Sequence, residues 1–378
     1  MRILFLTDGI TPFVMGGMQR HSENLCKALM PLVNHLTVAH CVYNQKIPAE
    51  WEVKEKWKIQ SEKLKILGFL FPQGDSYPGH YIRCSKHYSK LLFEKFKTDL
   101  GEYDFIYAQG FTSYYFVKVK DKYSLPPLIS NLHGLNMFQK TFGIRNWLES
   151  VLLKPIAKEC LMGSDYVVSL GGKLSDLLIN LGIPKEKILI APNGVDASWL
   201  IDKDQIKALD EVTHFVFIGR DDKVKGLSNL LNVFTNISSK NIKLTIIGPV
   251  SEQPLDHVEF LGEIKNKEDI IAVLDSSDIV LCPSFSEGMP TVVLEAMSRG
   301  LAVIASDVGA TSELVDSQNG WLFKPGNNLE LRQAILDAST KDLIQFKRAS
   351  REKIEDFIFA RLASDFLNIL AFRIDSKS

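Results

Sequence analysis

Short apolar runs alternate with amphipathic stretches along the whole chain. Residues 3–6, 36–42, 104–108, 128–132, 166–170 and 188–191 read as buried strands, separated for the most part by helical spacing. The alternation restarts after a polar stretch ending near residue 212. Strands then fall at 214–218, 243–247, 258–261 and 278–284, with a helix over 267–276. LAVIASDVGATSELV adds a strand and a helix, and NGWLF a small last strand. Strands alternating with helices predict mostly parallel, doubly wound α/β sheets, and the restart predicts two of them. Residues 341–373 predict a long helical region with Phe357, Leu362, Phe366, Ile369 and Leu370 on its apolar side. Between residues 54 and 97 the pattern is less regular.

Composition narrows this picture. A chain of 378 residues suits two domains rather than one core. With 46% apolar and 24% charged residues it has a globular composition, and a net charge of -1 lacks the basic footprint of a nucleic-acid binder. The five cysteines (Cys26, Cys41, Cys84, Cys160, Cys282) are scattered and odd in number, without a C-x-x-C pair. They predict neither a disulfide framework nor a zinc site and favour a reducing compartment. MRILFLTDG reads as a first strand rather than a signal peptide, and no apolar run reaches the roughly 18 residues that span a bilayer. A cytoplasmic protein is expected.

Candidate chemistry concentrates in FSEGMPTVVLEAMSRG, residues 285–300. Glu287-Gly288 follows a predicted strand, Pro290 can open a helix, and Glu295 comes eight residues after Glu287. Such a helix starts at a strand's carboxyl end, where open α/β sheets bind ligands, and Glu295 in its second turn can face the same crevice. An ordinary strand-loop-helix unit, with Glu287 solvated and Glu295 buried and paired, fits the same spacing. Upstream, Gly16-Gly17 lets the backbone approach a ligand ahead of a helix N-terminus, without the G-x-G-x-x-G fingerprint. A flexible turn looks the same. His133, at a strand end in NLHGLN, points into the crevice, where it can donate a hydrogen bond or hold a positive charge near neutral pH. A structural role fits it as well. In GRDDKVKG, Arg220 and Lys225 flank a loop before a helix near Gly226 and can neutralise a diphosphate; a solvated charged loop is the alternative. Residues 51–100 hold ten Lys or Arg against six Asp or Glu. There KHYSKLLFEKFK, residues 86–97, sets Tyr88, Leu91, Leu92 and Phe96 between lysines, which suits either an anionic membrane surface or a plain surface helix.

Together these motifs resemble the retaining glycosyltransferases of family 4, a GT-B class with two Rossmann-like domains. The likeness covers nearly the whole length: GGMQRH, NLHG, PNGVD, GRDDKVKG, FLGEI and SEGMPTVVLEAMSRGLAVIASDVGATSELV, whose Glu287 and Glu295 form the family's E-x7-E motif. The resemblance implies an α/β GT-B fold with two doubly wound domains facing across a cleft. Residues 1–195 would bind the acceptor, residues 210–356 the nucleotide-sugar donor, and a final helix, about 357–378, would pack back on the first domain. The implied reaction moves a hexose from a UDP- or GDP-sugar to a hydroxyl of a glycan, lipid-linked or small-molecule acceptor. It retains configuration and uses neither a metal nor another cofactor. The implied setting is surface polysaccharide or glycoconjugate synthesis, in the cytoplasm or at the inner face of its membrane.

The resemblance also assigns residues. Gly16 and Gly17 wall the donor's phosphates and sugar, and His133 supports the developing charge. Arg220 and Lys225 bind the leaving diphosphate. Glu287 contacts the sugar hydroxyls, aided by backbone N–H groups in the Gly288-Met289-Pro290-Thr291 segment, and Glu295 holds the ribose. Asn193 and Gly194 belong to the interdomain hinge. Three positions depart from the family pattern. Gln19 stands where a Glu is common, Met289 replaces a more usual aromatic, and Lys223 lies close enough to Lys225 for either to reach the phosphates. A non-catalytic nucleotide-sugar binding protein and a nucleotide-sugar epimerase or phosphorylase are the rival functions on this fold, and the presence of Glu287, Arg220 and Lys225 together favours transfer.

Overall fold

The computed structural model describes residues 1–375 except 44–45, 75–76, 207, 209, 238, 240 and 252–254. Its first half carries strands β1 (Arg2–Leu6), β2 (His35–Val42), β3 (Leu64–Leu70), β4 (Phe105–Gln109), β5 (Leu128–Asn131), β6 (Tyr166–Ser169) and β7 (Ile188–Ile190). Helices α1 (Gly17–Leu29), α2 (Glu50–Trp57), α3 (His80–Phe96), α4 (Tyr114–Val119), α5 (Ile144–Gly163) and α6 (Gly172–Asn180) connect them. The second half carries β8 (Thr213–Ile218), α7 (Leu227–Thr235), β9 (Ile242–Ile247), β10 (Val258–Phe260), α8 (Lys267–Ser276), β11 (Ile279–Cys282) and α9 (Thr291–Ser298). It continues with β12 (Ala302–Ser306), α10 (Thr311–Leu314), β13 (Gly320–Phe323), α11 (Asn328–Ala338), α12 (Ile344–Lys353) and α13 (Phe359–Asp375).

The sheet orders are β3-β2-β1-β4-β5-β6-β7 and β10-β9-β8-β11-β12-β13, with every strand pair parallel. Both follow the doubly wound plan, so each has one point where the strand order reverses, β1/β4 and β8/β11. Central strands read as unbroken apolar runs because helices cover both faces. In β1, Ile3 and Phe5 face one core layer while Leu4 and Leu6 face the other.

The irregular stretch of the sequence hides α2, the edge strand β3 and α3. Tyr88, Leu92, Phe93 and Phe96 of α3 are buried, and Lys86 and Lys90 lie 4.7 and 5.8 Å above the rings of Tyr114 and Tyr115. Of the four apolar residues expected on its free face, Tyr88, Leu92 and Phe96 are therefore spent on the protein's own core, while Leu91 is exposed.

The C-terminal region is two helices rather than one, α12 and α13, joined by a 3-10 turn at Ile354–Phe357. Phe359, Ala363, Phe366, Leu367 and Leu370 of α13 pack with Ile3, Phe5 and Leu25 of the N-terminal half, whereas Ile369 is exposed. Residues 376–378, part of the expected final helix, lie outside the described residues. Where the chain crosses between the halves, Val195 N donates to Phe357 O at 2.9 Å and Phe359 N to Val195 O at 3.1 Å. A buried Lys347–Asp278 ion pair, 3.0 Å, ties α12 to the start of β11. Among the described residues no helix is long and apolar enough to cross a membrane.

Candidate active site

The loops after β8 and β11 leave the C-terminal sheet on either side of its reversal point, and they are fastened together there. Phe285 N donates to Val224 O at 2.7 Å, and a Cβ on Gly226, whose φ is +72°, would come 2.2 Å from Pro283 O. Only glycine allows that approach. Asp222 caps the turn before Gly226 by accepting from Val224 N at 2.9 Å. The turn delivers Lys225 to Glu287: Nζ to Oε1 is 2.7 Å, and the Ser284 hydroxyl donates to the same oxygen at 2.7 Å. Burial disfavours the Lys225 charge, but its attractions, chiefly to Glu287, outweigh that and raise its pKa.

Of the two lysines, Lys225 is therefore the one that meets Glu287. Arg220 is near enough to act on Lys225 by charge repulsion, which pulls the Lys225 pKa down. It is 74% exposed, 4.0 Å from Asp222, and shares an open cleft of about 380 Å³ with Phe142, Asn146 and Lys223. The cleft draws its walls from both halves.

Across from Glu287 stands the loop after β5. His133 has a φ of +57° and Leu135 one of +52°, a left-handed conformation uncommon for such residues and often found at functional loops. The Asn131 carboxamide holds the turn by accepting from His133 N at 2.7 Å. A Cβ on Gly134 would lie 3.2 Å from Gly288 Cα, so the backbones of the two halves touch at this point. Gln139 bridges them: its amide donates to Glu287 O at 2.8 Å and to Gly134 O, and it accepts from Ser286 Oγ at 2.9 Å. Nothing in the residue spacing marked Gln139. Of the two roles open to His133, a hydrogen-bond donor or a positive charge, its surroundings favour the first, since burial pushes its pKa down to about 4 and leaves a neutral imidazole. Asn193 lies 3.4 Å from His133 Nε2, and its amide donates to the carbonyl of the buried Met289 at 3.2 Å. Next to it His21, 5.1 Å from His133 between ring centres, is buried and pushed down to about 3 by burial and by His133. The Asn193 side chain pulls the other way, favouring the charged form of His21, and is outweighed.

A second, narrower crevice opens beside α9. Pro290 precedes the helix and Thr291 is its first residue. Thr291 and Glu295 line the crevice together with Gly17, Arg20, His21 and Asn193, a space of about 30 Å³. Burial pushes the Glu295 carboxyl up to about 7, against the pull of Arg20, whose guanidinium lies 3.3 Å away from the other half of the chain. Gly16 precedes α1, and a Cβ there would meet the Gln19 side chain; Gly17 has open space around it. Gln19 donates to Asp8 at 3.1 Å, and burial pushes Asp8 up to about 6. Arg20 and Gln19 stand within the G-G-M-Q-R run, but their partners Glu295 and Asp8 are far away in sequence or on another strand end. Among the described residues no group of three or more His, Cys, Asp or Glu is placed to hold a metal ion, and all five cysteines are free and buried.

Two doubly wound sheets meeting across such a cleft define the GT-B class. Over its whole length the chain matches sucrose-phosphate synthase of Thermosynechococcus elongatus, with a TM-score of 0.76, 16% identity and 100% of each chain covered. It likewise matches the lipopolysaccharide outer core galactosyltransferase WaaB, with a TM-score of 0.73, 18% identity and 100% of each chain covered. Anabaena HepE in complex with UDP gives a TM-score of 0.68 at 19% identity, over 98% of this chain and 100% of that one. Residues 15–199 match the model of Glycosyltransferase Family 4, and residues 212–341 that of Glycosyl transferases group 1, so the chain belongs to the family 4, group 1 glycosyltransferases. Among curated relatives it is 26% identical over 208 residues to the putative colanic acid biosynthesis glycosyltransferase WcaL of Escherichia coli K12, covering 48% of this chain and 51% of that protein. An uncharacterized glycosyltransferase of Methanocaldococcus jannaschii is 22% identical over 347 residues, 85% of each. The chain spans about half the length of WcaL and of the amylovoran biosynthesis glycosyltransferase AmsK of Erwinia amylovora.

Proposed function

We propose that this protein moves a hexose from a UDP- or GDP-sugar to a hydroxyl of a glycan or lipid-linked acceptor, with retention of configuration, in surface polysaccharide or glycoconjugate synthesis. The Lys225–Glu287 pair carries the reading, because it sits at the reversal point of the second sheet and faces the backbone of the first. A nucleotide diphosphate leaves with growing negative charge. Lys225, Arg220 and Lys223 are the cations on that side, and the helix N-terminus at Leu227 adds its dipole. Glu287 then orients the sugar hydroxyls. Its carboxylate is already held by Lys225 and Ser284, which makes it a poor covalent nucleophile and fits same-face attack guided by the leaving phosphate. A neutral His133 donates a hydrogen bond rather than charge. Glu295, with Thr291 and Arg20, is the ribose end of the site. That HepE was solved with UDP and with UDP-glucose, and that WcaL and AmsK are named for colanic acid and amylovoran biosynthesis, supports the donor and the setting.

Release of UDP or GDP from a panel of nucleotide-sugars, with and without acceptor, tests the reading, and the product's anomeric NMR signal tests retention. Glu287→Ala and Arg220→Ala are expected to abolish transfer with the fold intact. Near-normal turnover by either would sink the assignment. Nucleotide-sugar binding without release would point to a binding protein, and an isomerised sugar still on its nucleotide to an epimerase.

A further inference from the structure

The helix that follows the cleft loop has an apolar face that the protein itself leaves unused. α5 buries Ser150, Ile156, Ala157, Cys160 and Leu161. At about 3.6 residues per turn these fall on one side, and Ile144, Trp147, Leu148, Val151 and Leu152 on the opposite side. The five apolar side chains are 40–79% exposed. A surface helix normally turns polar residues outward, so a contiguous apolar stripe in that position marks an interaction surface.

The edges of the stripe say what it meets. Arg145 lies on one edge and Lys154 on the other, and Lys158 follows on the stripe's own line beyond Leu152, all exposed. The carboxylates of this stretch are Glu149, on the Arg145 side, and Glu159, which pairs with Lys118. An apolar stripe with a tryptophan, bordered by cations, is the pattern of a helix lying in the interface of an anionic bilayer. A second copy fits less well. Nine residues of helix are about 14 Å long and 10–12 Å wide, well short of the about 800 Å² per side of a stable dimer. Asn146, on the same first turn but on the side opposite the stripe, lines the open cleft beside Arg220, so the cleft lies about one helix diameter, roughly 10 Å, behind this face.

We propose that this face of α5 docks on an anionic membrane surface. Docking holds the cleft about one helix diameter from the surface that carries a lipid-linked acceptor, a purpose that rests on the transfer reading above.

Flotation of the full chain with vesicles of phosphatidylcholine containing about 30% phosphatidylglycerol, against pure phosphatidylcholine, tests this. The wild type is expected to bind the anionic vesicles about tenfold more tightly. A double Trp147→Glu, Leu148→Glu variant is expected to lose about tenfold, with unchanged melting temperature, because its side chains are exposed. Arg145→Ser with Lys154→Ser is expected to weaken binding and flatten its salt dependence. Failure of the wild type to float, unchanged binding by the Glu variant, or loss of binding on removing Lys86, Lys90, Lys95 and Lys97 of α3 instead would each overturn the proposal. So would a wild-type dimer that the Glu variant splits, which would make this face a contact between copies. Nucleotide release in vesicle-free buffer is the separate arm: its absence counts against transfer and leaves the docking result standing.

Discussion

Each sheet places one carboxylate at its reversal point, and the two are treated in opposite ways. Asp8, after β1, is buried, pushed up to about 6, and bonded to the neutral amide of Gln19. Glu287, after β11, is held by an ammonium and a hydroxyl. One strand order thus carries a desolvated carboxyl that titrates near 6 in the N-terminal half and a charge-paired one in the C-terminal half. Topology selects where a site lies, while a few loop side chains select which ligand charge it tolerates. Gln19 acquires a reason in this light. A Glu at that position would set a second carboxylate against the buried Asp8.

The comparison breaks most visibly if the charged side is emptied. Lys225→Ala leaves Glu287 without its cation and is expected to lower kcat/KM for transfer by about 10²–10³-fold while the protein still melts cooperatively; a loss of less than tenfold would mean that the pair is structural only. On the Asp8 side the readout is stability against pH. The Asp8 pKa is about 6 in the folded protein against an ordinary value of 3.8, so the folded state binds this proton more tightly than the unfolded chain. Its contribution is present in full below that ordinary value and is lost as pH rises through about 6, on the order of 3 kcal/mol. Denaturant titrations should therefore show Asp8→Asn flattening the wild-type decline between those pH values, and parallel curves for the two proteins would contradict it. A smaller effect tests the neutral partner: Gln19→Glu should raise the Asp8 pKa further and cost about 1–2 kcal/mol at pH 8, with little change under acid conditions. The smallest effect lies between the halves. Arg20→Ala removes the larger of the two cationic influences on Glu295, leaving Lys267, and should move any pH step in nucleotide affinity upward from about 7, by an amount readable in calorimetry; an unmoved step would separate the Arg20–Glu295 pair from nucleotide binding.

Much of the architecture is legible in the sequence. Strands buried on both faces have to be apolar throughout, so β1, β2, β4, β8 and β12 announced themselves as runs. β3 did not, because an edge strand half open to solvent tolerates Lys65 and Gly68 and loses the signal. The E-x7-E spacing singled out Glu287 and Glu295, and GRDDKVKG singled out a loop of cations. Lys223 and Lys225 were equivalent in that string. Asp222 capping the turn decides between them, and a cap acts through geometry rather than spacing.

The order of residues along the chain thus determined the two sheets, their reversal points and the loops that had to carry the chemistry, because burial and turn propensity are local or periodic properties. Only the tertiary structure decided which charges meet. Lys225 with Glu287, Arg20 with Glu295 and Gln139 bridging to the Glu287 backbone join residues 62, 275 and 148 positions apart. Such pairings depend on how two separately folded sheets come to face each other, and so does the neutral state of His133, which burial between them imposes.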